Sequence, residues 1–354
     1  MRKYYLDNIR WITIVAVVVY HVIYMYNGVG IVGVLGKITD LEVQYYDVYQ
    51  YIVFPWFMFL LFLVAGISSR IYLENHTPRE YVKSRTVKLL VPSTIGLFAF
   101  QFIQGYYNTM LSNAGDVIKG VPAPVAFLIL IASGIGVLWF IQLLWVFSML
   151  LVPIMKLDKD RLWNLGGKAG IAAVVLFVVP VFGAAQILNT PVICVYRFGY
   201  YGIAFLLGYF VFSHDEVIEV LKKWFPALLA LAVVLGAAFS YKYFGMNYAD
   251  GPVNRTVLFV SFGWFASMAF LGGAAKYLNY TNTFMSFMSR HCWGLYVFHY
   301  LGISMVAHHI AGPGLVPAWA VYVLSLIAGF ALPFVLEPVI SRLPFFRWAV
   351  LGKK

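Results

Sequence analysis

Long apolar stretches alternate with short polar ones along this chain. Runs long enough to cross a hydrocarbon core of roughly 30 Å fall at about residues 9–27, 48–72, 87–108, 135–155, 169–188, 195–212, 227–243, 256–275, 292–310 and 316–340. The pattern predicts an all-α, polytopic membrane helix bundle of about ten transmembrane helices, with both ends of the chain on one side. A further apolar piece, 122–133, is too short to span and runs straight into a full-length segment, so it is expected as a re-entrant or interfacial element. No internal repeat, low-complexity tract or appended soluble domain interrupts the pattern, and residues 1–354 read as a single integral-membrane domain.

Composition agrees: 62% of the residues are hydrophobic and 11% charged, more apolar surface than a soluble fold of this length can bury. Arg2 and Lys3 precede the first run as in a signal peptide, but that run is span-length and no small-x-small site follows, so a retained first helix is expected. The net charge of +11 might suggest nucleic acid, yet the basic residues form no single patch. They are sided instead. With the N-terminus inside, twenty of the twenty-five lysines and arginines fall in inner segments, and only Lys37, Lys119, Arg197, Lys242 and Arg255 fall outside. This bias predicts an N-in, C-in, multi-pass protein of the cytoplasmic (inner) membrane. Cys194 and Cys292 lie in or beside apolar runs and offer no disulfide framework, redox pair or metal pattern.

The chemistry begins in "LDNIRWITIVAVVVYHV", residues 6–22. At 100° per residue, Arg10 and His21 stand about 20° apart on one stripe, and at 1.5 Å per residue about 16 Å apart along it. They share a face without touching, so something elongated would have to connect them. Arg10 can be read as a flank that reaches the headgroups and pairs with Asp7 one turn earlier. His21, deeper in the span, has to face the bundle interior and find a partner. It is either an interhelical hydrogen bond or a general base or ligand contact. Trp139 and Gln142, like Gln101 and Gln104, place polar groups within helices, as interhelical ties or substrate contacts. In "QYYDVYQY", Tyr45, Tyr46, Tyr49 and Tyr51 fit an aromatic belt; the functional alternative is that one or two stack on sugar rings while Asp47 bonds a hydroxyl.

"YLDNIRWITIVAVVVYH" resembles the opening helix of the acyltransferase family 3 membrane proteins, with its basic residue, ten intervening residues and histidine. Further stretches are similar in order. "FPWFMFLLFLVAGISSRIYL" resembles the second helix, with Ala65 where a serine is common. "YVKSRTVKLLVPS" resembles the cytosolic basic pair before a proline, placing Arg85 and Lys88 in the basic positions and Pro92 after them. "VLWFIQLLWVFSML" and "SRHCWGLYVFHYLG" resemble the Trp-Phe helix and the late helix whose histidine is matched by His299. "FVLEPVISRLP" is similar to the terminal Glu-x-Pro element, although Glu337 and Pro338 are adjacent here.

The resemblance, from residue 4 to about 340, implies transfer of an acyl group, most often acetyl, from cytosolic acyl-CoA to a hydroxyl of a carbohydrate or cell-surface glycan. Coenzyme A, with phosphates at one end of a slim arm and a thioester at the other, is the elongated object that the stripe requires. On this reading Arg85, Lys88, Arg10 and Lys83 hold the phosphates, His21 is the general base, and His299 orients it, carries a second proton or only bonds a backbone carbonyl. No metal is called for. The competing reading is a polytopic secondary transporter of a small anionic or sugar-like solute, which would often carry paired inverted repeats and broken helices.

Overall fold

The computed structural model of the protein describes residues 2–30, 33–112, 114–191 and 195–353; Cys194 lies outside the described residues. The principal helices, in chain order, are α1 (Tyr4–Met25), α2 (Phe57–Leu73), α3 (Pro78–Arg85), α4 (Phe102–Leu111), α5 (Ala123–Ser133), α6 (Trp139–Asp158), α7 (Phe198–Phe210), α8 (Asp215–Tyr243), α9 (Val257–Tyr277), α10 (Thr283–Val306), α11 (Ala318–Arg342) and α12 (Pro344–Leu351). Strands among the described residues are confined to one antiparallel pair, β1 (Asn189–Pro191) and β2 (Val195–Arg197).

Six helical stretches among the described residues are long and apolar enough to cross a membrane: α1, Tyr45–Leu73, Gly136–Asp158, α8, α9 and α11. They coincide with six of the segments expected from sequence. The other four take different forms for local reasons. Pro92 lacks an N–H, and the stretch around it winds into wide turns at Thr86–Leu90 and Leu97–Gln101 before α4. Residues 169–188 divide at Phe177 into Ile171–Leu176 and Val178–Ala185. Residues 195–212 begin as β2 and supply the 13-residue α7. The 292–310 stretch belongs to α10, which carries Arg290, His291 and His299, and it ends in the wide turn Ala307–Ala311. The short apolar piece expected at 122–133 is α5, with 11 residues.

Two compact units divide the chain. One comprises residues 1–13, 51–85 and 143–289. Its helices α2 and α7 meet through glycines: a Cβ at Gly66 would stand 2.0 Å from the Phe205 carbonyl oxygen, and one at Gly208 2.1 Å from that of Leu63. In a membrane, where apolar side chains gain little by leaving lipid, such backbone contact is how helices hold one another. Trp264 of α9 is fully buried and donates its indole N–H to the Val174 carbonyl at 3.0 Å. The entry to α3 is a capping box. Thr77 N–H donates to Glu80 Oε2 at 2.8 Å, Glu80 N–H donates to Thr77 Oγ1 at 3.3 Å, and Pro78 takes the first helical position.

The other unit comprises residues 14–50, 86–142 and 290–354. Here α4 and α5 pack as a hairpin at Gly105 and Gly134, with Gly134 against the Gln101 carbonyl. Helix α10 lies against α11 at Gly302, and Gly329 of α11 receives Val18 of α1 and Ile303. Tyr26, at the end of α1, is fully buried and shares a 2.7 Å hydrogen bond with Ser325. These contacts fix the depth and rotation of the histidine-bearing part of α1.

Candidate active site

The second unit brings two histidines together, His21 of α1 and His299 of α10. His299 Nε2 lies 3.0 Å from His21 Nδ1, and the ring centroids are 5.0 Å apart. The surrounding acceptors fix which nitrogens carry protons. His299 is fully buried, and its Nδ1 faces the carbonyl oxygens of Leu295 and Tyr296, each at 2.9 Å. A nitrogen between two carbonyls has to donate, so Nδ1 holds the proton and Nε2 of the neutral ring presents a lone pair. His21 Nδ1 then faces two acceptors, that lone pair and the Val17 carbonyl at 3.0 Å. It too carries its proton. The Nε2 lone pair of His21 is therefore left for chemistry, and among the described residues no hydrogen bond engages it.

Aromatic rings confine this imidazole. Tyr300 lies edge-on to His21 with centroids 5.0 Å apart, and Tyr24 does so at 5.9 Å. Tyr300, which no sequence motif marks, follows His299 in the same helix. One position further on, its ring reaches His21 from the side.

The acceptor candidates divide. Tyr45 is 75% exposed, as a belt or a stacking platform requires. Tyr46 instead shares a 3.0 Å hydrogen bond with the Tyr322 hydroxyl. Asp47 points inward: it is buried and accepts from the Gly28 N–H at 2.9 Å and from Gln44 Nε2 at 3.3 Å, tying down the chain beyond α1. Gln142 donates to the Ser93 carbonyl at 3.1 Å, next to Pro92, and Trp139 packs against Phe140.

The basic candidates lie in both units. In the first, Arg10 pairs with Asp7 at 2.7 Å, as the i, i+3 spacing suggests, and also hydrogen-bonds Ser68. Arg85 stands over the rings of Tyr81 and Tyr72 at 5.0 and 5.7 Å, and Lys83 is exposed on the same helix. In the second, Lys88 is exposed on the wide turn before Pro92. Among the described residues none of Lys83, Arg85 and Lys88 forms an ion pair with a carboxylate. No group of three or more histidine, cysteine, aspartate or glutamate residues that could hold a metal ion is found among the described residues.

Glu337 of the terminal element anchors a further polar cluster. Glu337, buried in α11, accepts from His291 Nδ1 at 3.0 Å and from Lys353 Nζ at 2.8 Å, and Gly294 leaves room for its carboxylate. Its members are 46 and 16 residues from Glu337, so no local pattern announced them.

A helical membrane protein with a polarised histidine pair in its interior is the class that this geometry defines. The acyltransferase domain of the acyltransferase 3 family matches residues 3–337, nearly the whole chain, and the protein belongs to that family. It is thus an integral membrane acyltransferase. No curated protein and no solved structure matches it.

Proposed function

We propose that the protein transfers a short acyl group, acetyl first among them, from cytosolic acyl-CoA to a hydroxyl of a carbohydrate or cell-envelope glycan. His21 Nε2 takes the proton from the acceptor hydroxyl as its oxygen attacks the thioester carbonyl. The C–O bond forms, the C–S bond breaks, and the departing CoA thiolate takes the proton back from the imidazolium. His299 is a positioning residue that holds the His21 proton on Nδ1. Arg10, Lys83, Arg85 and Lys88 are assigned to the phosphates of the donor, for which guanidinium and ammonium groups supply charge-assisted hydrogen bonds. Tyr45 and Trp139 are the ring surfaces assigned to the acceptor, with Tyr46, Asp47 and Gln142 holding the segments that carry them. The charge bias supports ten spans with both ends inside, in the inner membrane, and the family match over residues 3–337 supports the whole chain acting as one domain.

The observation that carries this reading is the His21 ring, whose proton is held on one nitrogen by two acceptors while the other nitrogen is left unbonded. Purified protein incubated with labelled acetyl-CoA and an oligosaccharide acceptor is expected to release free CoA. The His21→Ala variant should lose about 10²–10⁴ of that rate. Equal release by wild type and variant would remove His21 as the base.

A further inference from the structure

Lys88, one of the cations assigned to the donor phosphates, stands exposed on the wide turn Thr86–Leu90. Such a turn has no run of α-type bonds to fix it, and Pro92 interrupts the backbone ladder just beyond. The Val91 N–H reaches back five residues to the Thr86 carbonyl at 3.1 Å, and the Gly96 N–H five residues to that of Val91 at 3.0 Å. The segment's own bonds leave the placement of Lys88 to its neighbours.

Helix α12 and the two residues after it are those neighbours, all within the second unit. A Cβ at Gly96 would stand 2.7 Å from the Ala349 carbonyl oxygen, so α12 rests on the backbone beyond Pro92. On the other side of the proline, Gly352 touches the turn itself. Its own Cβ would stand 2.7 Å from the Val87 carbonyl oxygen and 2.9 Å from Lys88 Cα. Gly352 has φ +61°, in the left-handed region where a side chain is strained, so its conformation and its surroundings both call for glycine. Next to it, Lys353 Nζ donates to Glu337 Oε1 at 2.8 Å, and the buried Glu337 is held through Oε2 by His291 Nδ1 at 3.0 Å. The Lys353 N–H also bonds the Arg347 carbonyl at 3.2 Å. The backbone pressed against Lys88 is thus pinned to α10 and α11 through one buried carboxylate.

We propose that Gly352 and Lys353 are positioning residues for donor binding: anchored by Glu337 and His291, they hold the Val87–Lys88 backbone where the Lys88 ammonium meets a phosphate of acyl-CoA. This rests on the donor assignment made above. A lysine binds phosphate as a point charge on a flexible stem, so its reach depends on where its Cα is held. Neither Gly352 nor Lys353 is assigned to a reacting atom, and disturbing them should weaken donor binding while the chemical step is kept.

The test follows labelled CoA release by the full-length protein in nanodiscs, and in parallel the turnover of acetyl-pantetheine, which carries the thioester arm without the nucleotide and its phosphates. Lys88→Ala should raise the KM for acetyl-CoA about tenfold, the worth of one charge-assisted hydrogen bond. Gly352→Ala and Lys353→Met should each raise it about three- to tenfold with kcat at saturating donor unchanged, and Lys353→Arg should recover most of the loss. Added to Lys88→Ala, neither should raise KM further, because the cation they position is gone. Acetyl-pantetheine turnover should be the same in all of them. Amide protection over residues 86–90 should fall in Lys353→Met, a reading of the tie that holds even where Gly352→Ala fails to fold. No CoA release by wild type, or an unchanged KM in Lys88→Ala, would overturn the donor assignment and this proposal with it. A raised KM in Lys88→Ala alone, additive losses in the double variants, an equal loss with acetyl-pantetheine, or unchanged protection over residues 86–90 would each overturn the positioning role and leave the donor assignment standing.

Discussion

Replacing His299 by leucine isolates the contribution of a residue that, on the proposed mechanism, never touches a reacting atom. The His21 ring is oriented by two bonds from the same nitrogen, to the Val17 carbonyl and to His299 Nε2, each 3.0 Å long. His299→Leu removes the second and leaves the first, so no buried donor is orphaned and the fold should lose only about 1 kcal/mol. The catalytic loss is larger. One orienting bond to a partly buried imidazole is worth about 1–3 kcal/mol, which converts to a rate about 5–160-fold lower. The loss should fall on kcat for labelled CoA release, with the KM for acetyl-CoA unchanged, because the proposed mechanism assigns the donor phosphates to other residues. His299→Gln places an amide oxygen near the lost Nε2 and should recover part of the rate. A leucine variant that turns over like wild type, or a glutamine variant no better than leucine while both remain folded, would refute the positioning role.

Two further outcomes concern the scaffold. Gly208→Leu forces a side chain into a site where even a Cβ stands 2.1 Å from the Leu63 carbonyl, and thermal unfolding should show a loss of about 3 kcal/mol. The control Gly183→Ala, where an added Cβ meets nothing within 4 Å, should cost nothing and gain about 0.5–1 kcal/mol of helix stability. The Glu80 carboxyl is held below its ordinary value by the Thr77 N–H and then by the Thr77 hydroxyl. Its contribution to the start of α3 is therefore complete above the ordinary carboxylate range and disappears as pH falls through the lowered value. Amide protection over residues 78–85, taken relative to the intrinsic exchange rate at each pH, should follow that course in wild type and be independent of pH over the same interval in Glu80→Gln.

What the sequence revealed and what it concealed divide along physical lines. Length and periodicity located α1, expected at about 9–27 and found at Tyr4–Met25, and the eleven-residue step from Arg10 to His21 placed both on one continuous helix. The Arg10 and Asp7 pair was equally legible, being a contact between residues three apart on a helix surface. The segments around Pro92 and Phe177 were not, because hydropathy over a long window does not register where the backbone ladder breaks. Asp47 stood in a tyrosine-rich stretch that suggested an outward-facing surface; only tertiary structure reveals that Gln44 and the Gly28 N–H turn it inward. The His21 and His299 contact joins residues 278 apart. The sequence located each partner, but their closeness and the nitrogens that face one another required the packing of α1 against α10.

The direction of the hydrogen bonds in that pair also sets where a proton can travel. A proton passed from His21 to His299 would reach a ring whose remaining N–H is bonded to peptide oxygens of its own helix. Peptide oxygens do not relay it onward, so the two imidazoles form a cul-de-sac and not a wire. Whatever His21 Nε2 accepts has to leave through the same nitrogen within the same turnover, which suits a reaction that returns its proton to a leaving thiolate. A pump that moves protons across the bilayer would need another exit.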